Sequence, residues 1–165
     1  MTQRYAKVLM ALSLAAFALV VTLNNIIDYN SNFAFVQHVL SMDTTFLGNT
    51  LMHRAINARE LWHLAYWAII FGEGVTGVMF LVGGIAMWRA RRMPSLAFEH
   101  SKSWVVAAAT TGFLVWFLGF MVLGGEWFAM WQSKTWNGQD SAFRFTMVIL
   151  GVLLFVNQGD REISS

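Results

Sequence analysis

The sequence predicts an all-α protein, a polytopic transmembrane four-helix bundle with a helical loop at its outer face. Hydrophobic residues make up 57% of the 165 residues and charged residues only 12%, whereas a soluble domain carries about 25% charged residues. Four apolar segments each approach the length of about 20 helical residues that crosses the hydrocarbon core of a bilayer. Because the chain is too short for two independent domains, we expect residues 1–165 to form one membrane domain.

The four predicted spans cover residues 8–27, 61–88, 104–123 and 141–156. The first span is longer than the apolar core of a signal peptide, about 7–15 residues, so we expect it to be retained. The second is longer than a bilayer requires, so its first turns are expected to protrude. Tryptophans near the span ends are typical interface anchors: Trp62, Trp67, Trp88, Trp104 and Trp127.

Basic residues predict the orientation of the spans. Seven lysines and arginines lie on the side of the termini and the middle loop, and four lie on the opposite side, at Arg54, Arg59, Lys134 and Arg144. Short loops rich in Lys and Arg stay cytoplasmic, so both termini are expected to face the cytoplasm. The larger set is Arg4, Lys7, Arg89, Arg91, Arg92, Lys102 and Arg161.

The charge pattern and the absence of cysteine also limit the function. The net charge is only +2, and the basic residues cluster at span ends, which favours a topology signal over nucleic-acid binding. The chain has no cysteine, which excludes disulfides, thiolate metal sites and cysteine nucleophiles. The expected surroundings are the lipid bilayer and other membrane subunits or further copies of the chain.

Glu73 is the only carboxylate well inside a predicted span, about 10 Å below the aromatic belt of its helix by helical rise. A charge at this depth is costly and marks a candidate site. Asn24 and Asn25 end the first span, and Arg144 begins the fourth, at similar depth. We therefore expect an intramembrane polar cluster of Glu73, Arg144, Asn24 and Asn25, with an ion pair between the two charged groups. A structural clamp, proton or cation handling, and contact with a partner subunit are all open roles.

The face of the helix that carries Glu73 also carries small residues. At 100° per residue, Gly77 and Gly84 fall on the same narrow arc as Glu73. Small residues let a second helix approach closely. We therefore expect Gly77 and Gly84 to pack against another helix and Glu73 to point into the bundle.

Three histidines lie on the predicted outer side and are candidate metal ligands. Glu60 and His63 have the Glu-x-x-His spacing that places both side chains on one helical face, as in di-iron bundles. If that helix begins early, His53 shares the face, and His38 lies in the preceding loop. A di-iron site needs a second such motif, which the sequence lacks, so no cofactor is predicted and a metal or haem remains an alternative.

The outer loop, residues 28–60, is longer than a connection requires. Phe33, Val36 and Leu40 recur in it at helical spacing, which predicts a short helix at the interface or over the mouth of the bundle. Docking of a partner and closure of the bundle are both consistent with this segment.

The end of the first span and the loop after it resemble a known family. The segments NNIIDYNSNF (24–33) and FVQHVLSMDT (35–44) are similar to a bacterial family of predicted small integral membrane proteins of unknown function. The resemblance extends over nearly the whole chain and implies a bacterial inner membrane. It implies no reaction, substrate or catalytic residue.

Three functions are therefore open. The first is a non-catalytic accessory or structural subunit, docked on a larger inner-membrane assembly or self-associated. The second is a small proton- or ion-coupled transporter or channel that uses Glu73. The third is a metal- or haem-binding redox protein that uses the outer histidines. An enzymatic role is not expected, because no catalytic constellation is visible in the sequence.

Overall fold

The structure is a computed structural model that describes residues 1–160, and it places a long helix over each of the four predicted spans. Four helices are long and apolar enough to cross a membrane, and each contains one of the predicted spans. Within the described residues every regular element is a helix, and no strand is present. The helices are α1 (Thr2–Ile27), α2 (Tyr29–Ser41), α3 (Arg59–Ala90), α4 (Ser95–Ser101), α5 (Ser103–Phe113), which continues as a π-helical segment (Leu114–Trp127), and α6 (Gln139–Val156).

Different helices and loops lie at the two ends of the bundle. The α2 end holds α2 and the loops 42–58 and 128–138, which are joined by a hydrogen bond of 2.9 Å from Thr44 Oγ1 to Ser133 Oγ. The Pro94 end holds the N-terminus, the turn at 91–94 and residues 157–160, joined in part by a hydrogen bond of 2.6 Å from Arg4 Nη1 to the Met93 carbonyl.

The loop helix predicted from Phe33, Val36 and Leu40 is confirmed as α2. Its buried residues are Phe33, Val36 and Val39. Phe33 and Val36 pack against Tyr66 and Ile70 of α3, and Val39 packs against Met42 and residues 128–130. Met42 ends the helix in the left-handed conformation, with φ of 54°. After it the chain forms turns and a single 3-10 turn at Met52–Arg54 before α3 begins at Arg59.

Close packing of α1 against α3 depends on small residues in the interface between the two helices. A Cβ added at Gly77 would lie 2.8 Å from Leu19 Cγ, and one at Gly84 would lie 2.5 Å from Leu12 Cδ2. On α1, Ala11, which is fully buried, belongs to the same core. Small residues allow two membrane helices to approach closely. The structure therefore places both predicted glycines inside the molecule, against α1, and not on a free face.

The second half of α5 is wound more widely than an α-helix. From Leu114 to Trp127 the backbone is π-helical, and it ends with a hydrogen bond of 3.0 Å from the Phe128 amide to the Leu123 carbonyl, five residues earlier. Such segments are rare and are often associated with functional sites. In this one, Trp116, Phe120 and Gly124 recur every fourth residue and line the cavities described below.

A buried ion network joins the two ends of the described chain. The side chain of Asp160, only 2% exposed, accepts hydrogen bonds from Lys7 Nζ at 2.9 Å and from Lys102 Nζ at 2.6 Å. Lys102 also binds Glu99 Oε1 at 2.8 Å. The two lysines were predicted only as topology signals, and the network is visible only in the folded chain. Arg161, which belongs to the same basic set, lies outside the described residues.

Candidate functional site

A chamber of about 230 Å³ lies among the four long helices and α2, at the α2 end of the bundle. Its walls combine one carboxylate, two amides and two hydroxyls with five aromatic side chains and a few aliphatic ones. The lining residues are Val21, Asn25, Asn32, Phe35, Val36, Tyr66, Ile69, Glu73, Trp116, Phe120, Gly138, Ser141, Ala142 and Phe145.

Among residues 1–160, Glu73 is the only charged residue in this wall. It is buried, with 2% of its surface exposed, as its place on the helix face predicted. Its Oε2 accepts a hydrogen bond of 2.7 Å from Asn25 Nδ2. In the part of the chain that the structure describes, no lysine, arginine or histidine nitrogen lies within 4.0 Å of the carboxylate. Glu73 is therefore a buried acid held by one amide and not by a counter-charge.

Asn25 connects Glu73 to the surface. Its Oδ1 accepts a hydrogen bond of 2.8 Å from Asn32 Nδ2, and its backbone carbonyl accepts one of 3.1 Å from Tyr66 Oη. Asn32 lies on the exposed side of α2. The three hydrogen bonds fix the end of α1 to α2 and α3, so the carboxylate is held by a rigid polar frame.

The expected ion pair between Glu73 and Arg144 is not formed. Arg144 is exposed, and no acidic oxygen of the described residues lies within 4.0 Å of its guanidinium. The buried face of α6 carries Ala142, Thr146 and Ile149, and Arg144, two residues after Ala142, falls about 200° around the helix from that residue. Asn24 is also exposed, because it precedes the buried Asn25 by one position. Of the predicted cluster, the structure brings together Glu73 and Asn25.

The candidate metal ligands are not brought together either. His38 Nδ1 pairs with Asp43 at 2.8 Å, and His63 Nδ1 shares a hydrogen bond of 2.8 Å with Tyr29 Oη. His53 lies in the 3-10 turn before α3, because α3 begins later than an early start would require, and Glu60 is exposed in its first turn. Over residues 1–160, no three His, Cys, Asp or Glu side chains converge in a metal-binding group.

His63 instead belongs to an aromatic cluster that fastens α2 to α3. Its ring stacks on Phe33, with centroids 4.1 Å apart, and Tyr29 packs against Tyr66 at 4.7 Å. Burial raises the pKa of the Tyr29 hydroxyl above its ordinary value. The cluster packs α2 against Tyr66, which belongs to the chamber wall.

The predicted tryptophan anchors lie at both ends of the bundle. Trp88 and Trp104 are exposed at the Pro94 end, and Trp67 and Trp127 are exposed near the α2 end. Trp62 is half-buried, and its Nε1 donates a hydrogen bond of 2.7 Å to the Ile56 carbonyl. This pattern is typical of aromatic belts at the two edges of a membrane.

A match to a family model agrees with this architecture. The family is described as "predicted small integral membrane protein (DUF2165)", and the match covers residues 3–159. The chain belongs to this family. It is therefore a small integral membrane protein with four candidate spans. No curated protein and no solved structure matches the chain.

Sequence reasoning identified Glu73 and Asn25 but missed most of the chamber. Asn32 lies in the outer loop, and the sequence did not show that its side chain points toward the chamber. The aromatic residues Trp116, Phe120 and Phe145 could not be told apart from the other apolar residues of the spans. The helical spacing of Phe33 and Val36 was the one signal that α2 covers this end of the bundle. It could have directed attention to Asn32, which lies one residue before Phe33.

Proposed function

We propose that this protein is a non-catalytic membrane protein that binds the ammonium group of a small ligand in the chamber at Glu73. The observation that supports it is the buried carboxylate without a counter-charge on the chamber wall. An uncompensated charge within a membrane helix costs about 3 kcal/mol on insertion scales. A ligand that supplies a positive charge and hydrogen-bond donors offsets this cost.

The other walls of the chamber favour an ammonium group over other cations. Five aromatic side chains surround the space. Aromatic faces attract organic cations electrostatically, and aromatic cages are a recurrent means of binding ammonium groups. A hard metal cation would require several oxygen ligands, and the wall offers one carboxylate with few other oxygens. Its volume of about 230 Å³ suits a small headgroup.

Ethylammonium is expected to stabilise the purified protein through Glu73, whereas ethanol, its neutral counterpart of similar size, is not. At about ten times its dissociation constant a ligand stabilises a protein by about 1.4 kcal/mol, or about 4 °C in Tm for a chain of this size. The measurement is the thermal midpoint in mild detergent for the wild type, Glu73→Gln and the exposed control Glu126→Gln.

The wild type and Glu126→Gln should respond equally, and Glu73→Gln should not respond. An equal shift in Glu73→Gln would show that ethylammonium acts elsewhere, and the absence of a shift in the wild type would also contradict the proposal. The matched change at Glu126 removes the same charge without touching the chamber.

Proton binding at Glu73 is a second candidate function, favoured by the polar connection from Glu73 through Asn25 to the exposed Asn32, beside which water can reach the chamber. The same assay separates the two candidates. If Glu73 only takes up protons, the difference in thermal midpoint between the wild type and Glu73→Gln will change with pH, and ethylammonium will have no effect on either. Transport across the membrane would also require a route to the Pro94 end, where the interior next to α3 is formed by side chains such as Phe80 and Met87.

The accessory role expected from the sequence remains a proposal. It is supported by the small size of the loops and by apolar side chains at the tip of the 42–58 loop, where Phe46 and Leu47 are exposed. We propose that this loop contacts another subunit or a second copy of the chain. The mass of the particle in mild detergent tests this, since a solitary monomer in every mild detergent contradicts it.

We also propose that the protein lies in a bacterial inner membrane with both termini in the cytoplasm. The structure gives this proposal support, because Arg4 is hydrogen-bonded to the basic turn at 91–94, and Lys7 and Lys102 lie at the same end. A cytoplasm-active reporter fused to the C-terminus should be active, and one inserted after the exposed Gly48 should not. The opposite pattern would reverse the orientation.

A further inference from the structure

An apolar groove lies beside the chamber, between α3 and the π-helical segment of α5, with α2 at its upper edge. It has a volume of about 510 Å³, within the range of about 300–1,000 Å³ that small-molecule sites occupy. All of its lining residues are apolar, and they include Leu61, Leu64, Ala68, Gly119 and Leu123.

The groove and the chamber adjoin each other. Four side chains belong to the walls of both: Phe35, Val36, Ile69 and Phe120. The groove also opens sideways, because Leu61, Leu64 and Leu123 along its edge are exposed on the surface of the bundle. In an integral membrane protein such a surface, level with the aromatic anchors Trp62 and Trp67, lies at the edge of the lipid. A polar chamber with a carboxylate therefore adjoins an apolar groove that lipid chains can reach.

We propose that the ligand is a single-chain amphiphile, with an ammonium headgroup in the chamber at Glu73 and an aliphatic tail in the groove. This rests on the proposed function and specifies the class of its ligand. The groove holds a tail by apolar contact along its length, and the neighbouring carboxylate selects the headgroup. The two spaces together match the two halves of a long-chain amine.

Charge distinguishes this ligand from an ordinary phospholipid. No lysine, arginine or histidine lines either space among the described residues. A phosphate in the chamber would lie near the Glu73 carboxylate without a basic partner, which is unfavourable by like-charge repulsion and desolvation. A long-chain amine has no phosphate, so it can occupy the chamber and the groove without this repulsion.

Photolabelling with dodecylamine that carries a diazirine at the methyl end tests this inference on the intact protein in detergent. Labelled peptides are mapped by mass spectrometry. We expect labelling within residues 61–69 and 115–124, and about a tenfold loss in Glu73→Gln, the size expected when a charge-assisted hydrogen bond is removed. The diazirine form of dodecanol should label these ranges as weakly as the amine labels Glu73→Gln.

Filling the groove gives the second arm of the test. In Gly119→Leu the new side chain is placed at the groove, where an added Cβ meets only the Leu114 carbonyl, at 3.7 Å. We expect labelling to fall about tenfold, whereas Gly151→Leu, on an open face of α6 with nothing within 4 Å, should label like the wild type. Ala68→Phe is a second groove-filling variant, should Gly119→Leu fail to fold.

The outcomes separate this inference from the proposed function. If the ranges are labelled equally in Glu73→Gln, or with dodecanol, the groove is an ordinary lipid contact and the inference is wrong. If the groove-filling variants keep their stabilisation by ethylammonium but lose the amine label, both proposals hold. If the wild type is stabilised by ethylammonium but its groove is not labelled, only the inference fails.

Discussion

Replacing Asp160 by asparagine is expected to lower the free energy of unfolding by about 3 kcal/mol, because removing one partner of a buried ion pair leaves the other charge uncompensated. Lys7 is fully buried and Lys102 is 3% exposed, and the Asp160 carboxylate binds both of them. The neutral amide leaves both buried ammonium groups without this carboxylate, and among the described residues only Lys102 keeps another acid within 4.0 Å, the partly exposed Glu99. The loss should appear as a lower thermal midpoint by circular dichroism.

Glu99→Gln is the matched control for this prediction. Glu99 also binds Lys102, but its side chain is 38% exposed, so water replaces much of the interaction and the loss should stay below about 1 kcal/mol. Equal losses in the two variants would show that the Asp160 network contributes no more than a surface pair.

The stability of the protein should also depend on pH through the carboxylate of Asp160. Burial alone would raise the pKa of Asp160, but the hydrogen bonds from Lys102 and Lys7 outweigh it and hold the pKa below its ordinary value of 3.8. Its stabilising contribution is therefore complete above that value and is lost as the pH falls through the pKa of the folded state. The wild type should lose stability below about pH 4, and Asp160→Asn should lack this component.

Substituting Gly83 by leucine is expected to separate α3 from α5 and to destabilise the bundle by about 3 kcal/mol, at the upper end of the usual cost of overpacking. A Cβ at this position would lie 2.9 Å from the Val105 backbone nitrogen and 3.2 Å from Trp104 Cβ. A backbone atom cannot rotate away as a side chain can, so the two helices must move apart. The thermal midpoint measures the effect.

Gly151→Leu is the control for this substitution as well. It makes the same chemical change on an open face of α6 and should alter stability by no more than a few tenths of a kcal/mol. If Gly83→Leu were as stable as Gly151→Leu, this result would contradict the close approach of α3 and α5 at Gly83.

The spans and the burial of Glu73 were predictable because they depend on local pattern. A run of about 20 apolar residues has one stable environment, and a helix fixes the direction of each side chain at 100° per residue. The same rule, applied to α6, would have placed Arg144 away from Ala142 and Thr146. Matching depth alone suggested the ion pair, and direction around the helix decided against it.

The contacts that the sequence did not reveal join residues far apart in the chain. Lys7 and Asp160 are separated by nearly the whole sequence, and each looks like an ordinary charge at a span end. The groove depends on the widened turns of the segment Leu114–Trp127, whose residues resemble those of any apolar span. Such features arise from packing between helices. The apolar periodicity of one helix in the sequence does not predict them.

The most direct test of the central claim, that Glu73 binds an ammonium group, is the ¹³C resonance of its carboxyl carbon. In protein labelled at the glutamate carboxyl groups, the Glu73 signal is the one that is lost in Glu73→Gln. With saturating ethylammonium at constant pH, we expect this signal to shift while that of the exposed Glu60 stays in place. A Glu73 signal that does not move, in protein shown to be folded, would contradict the account.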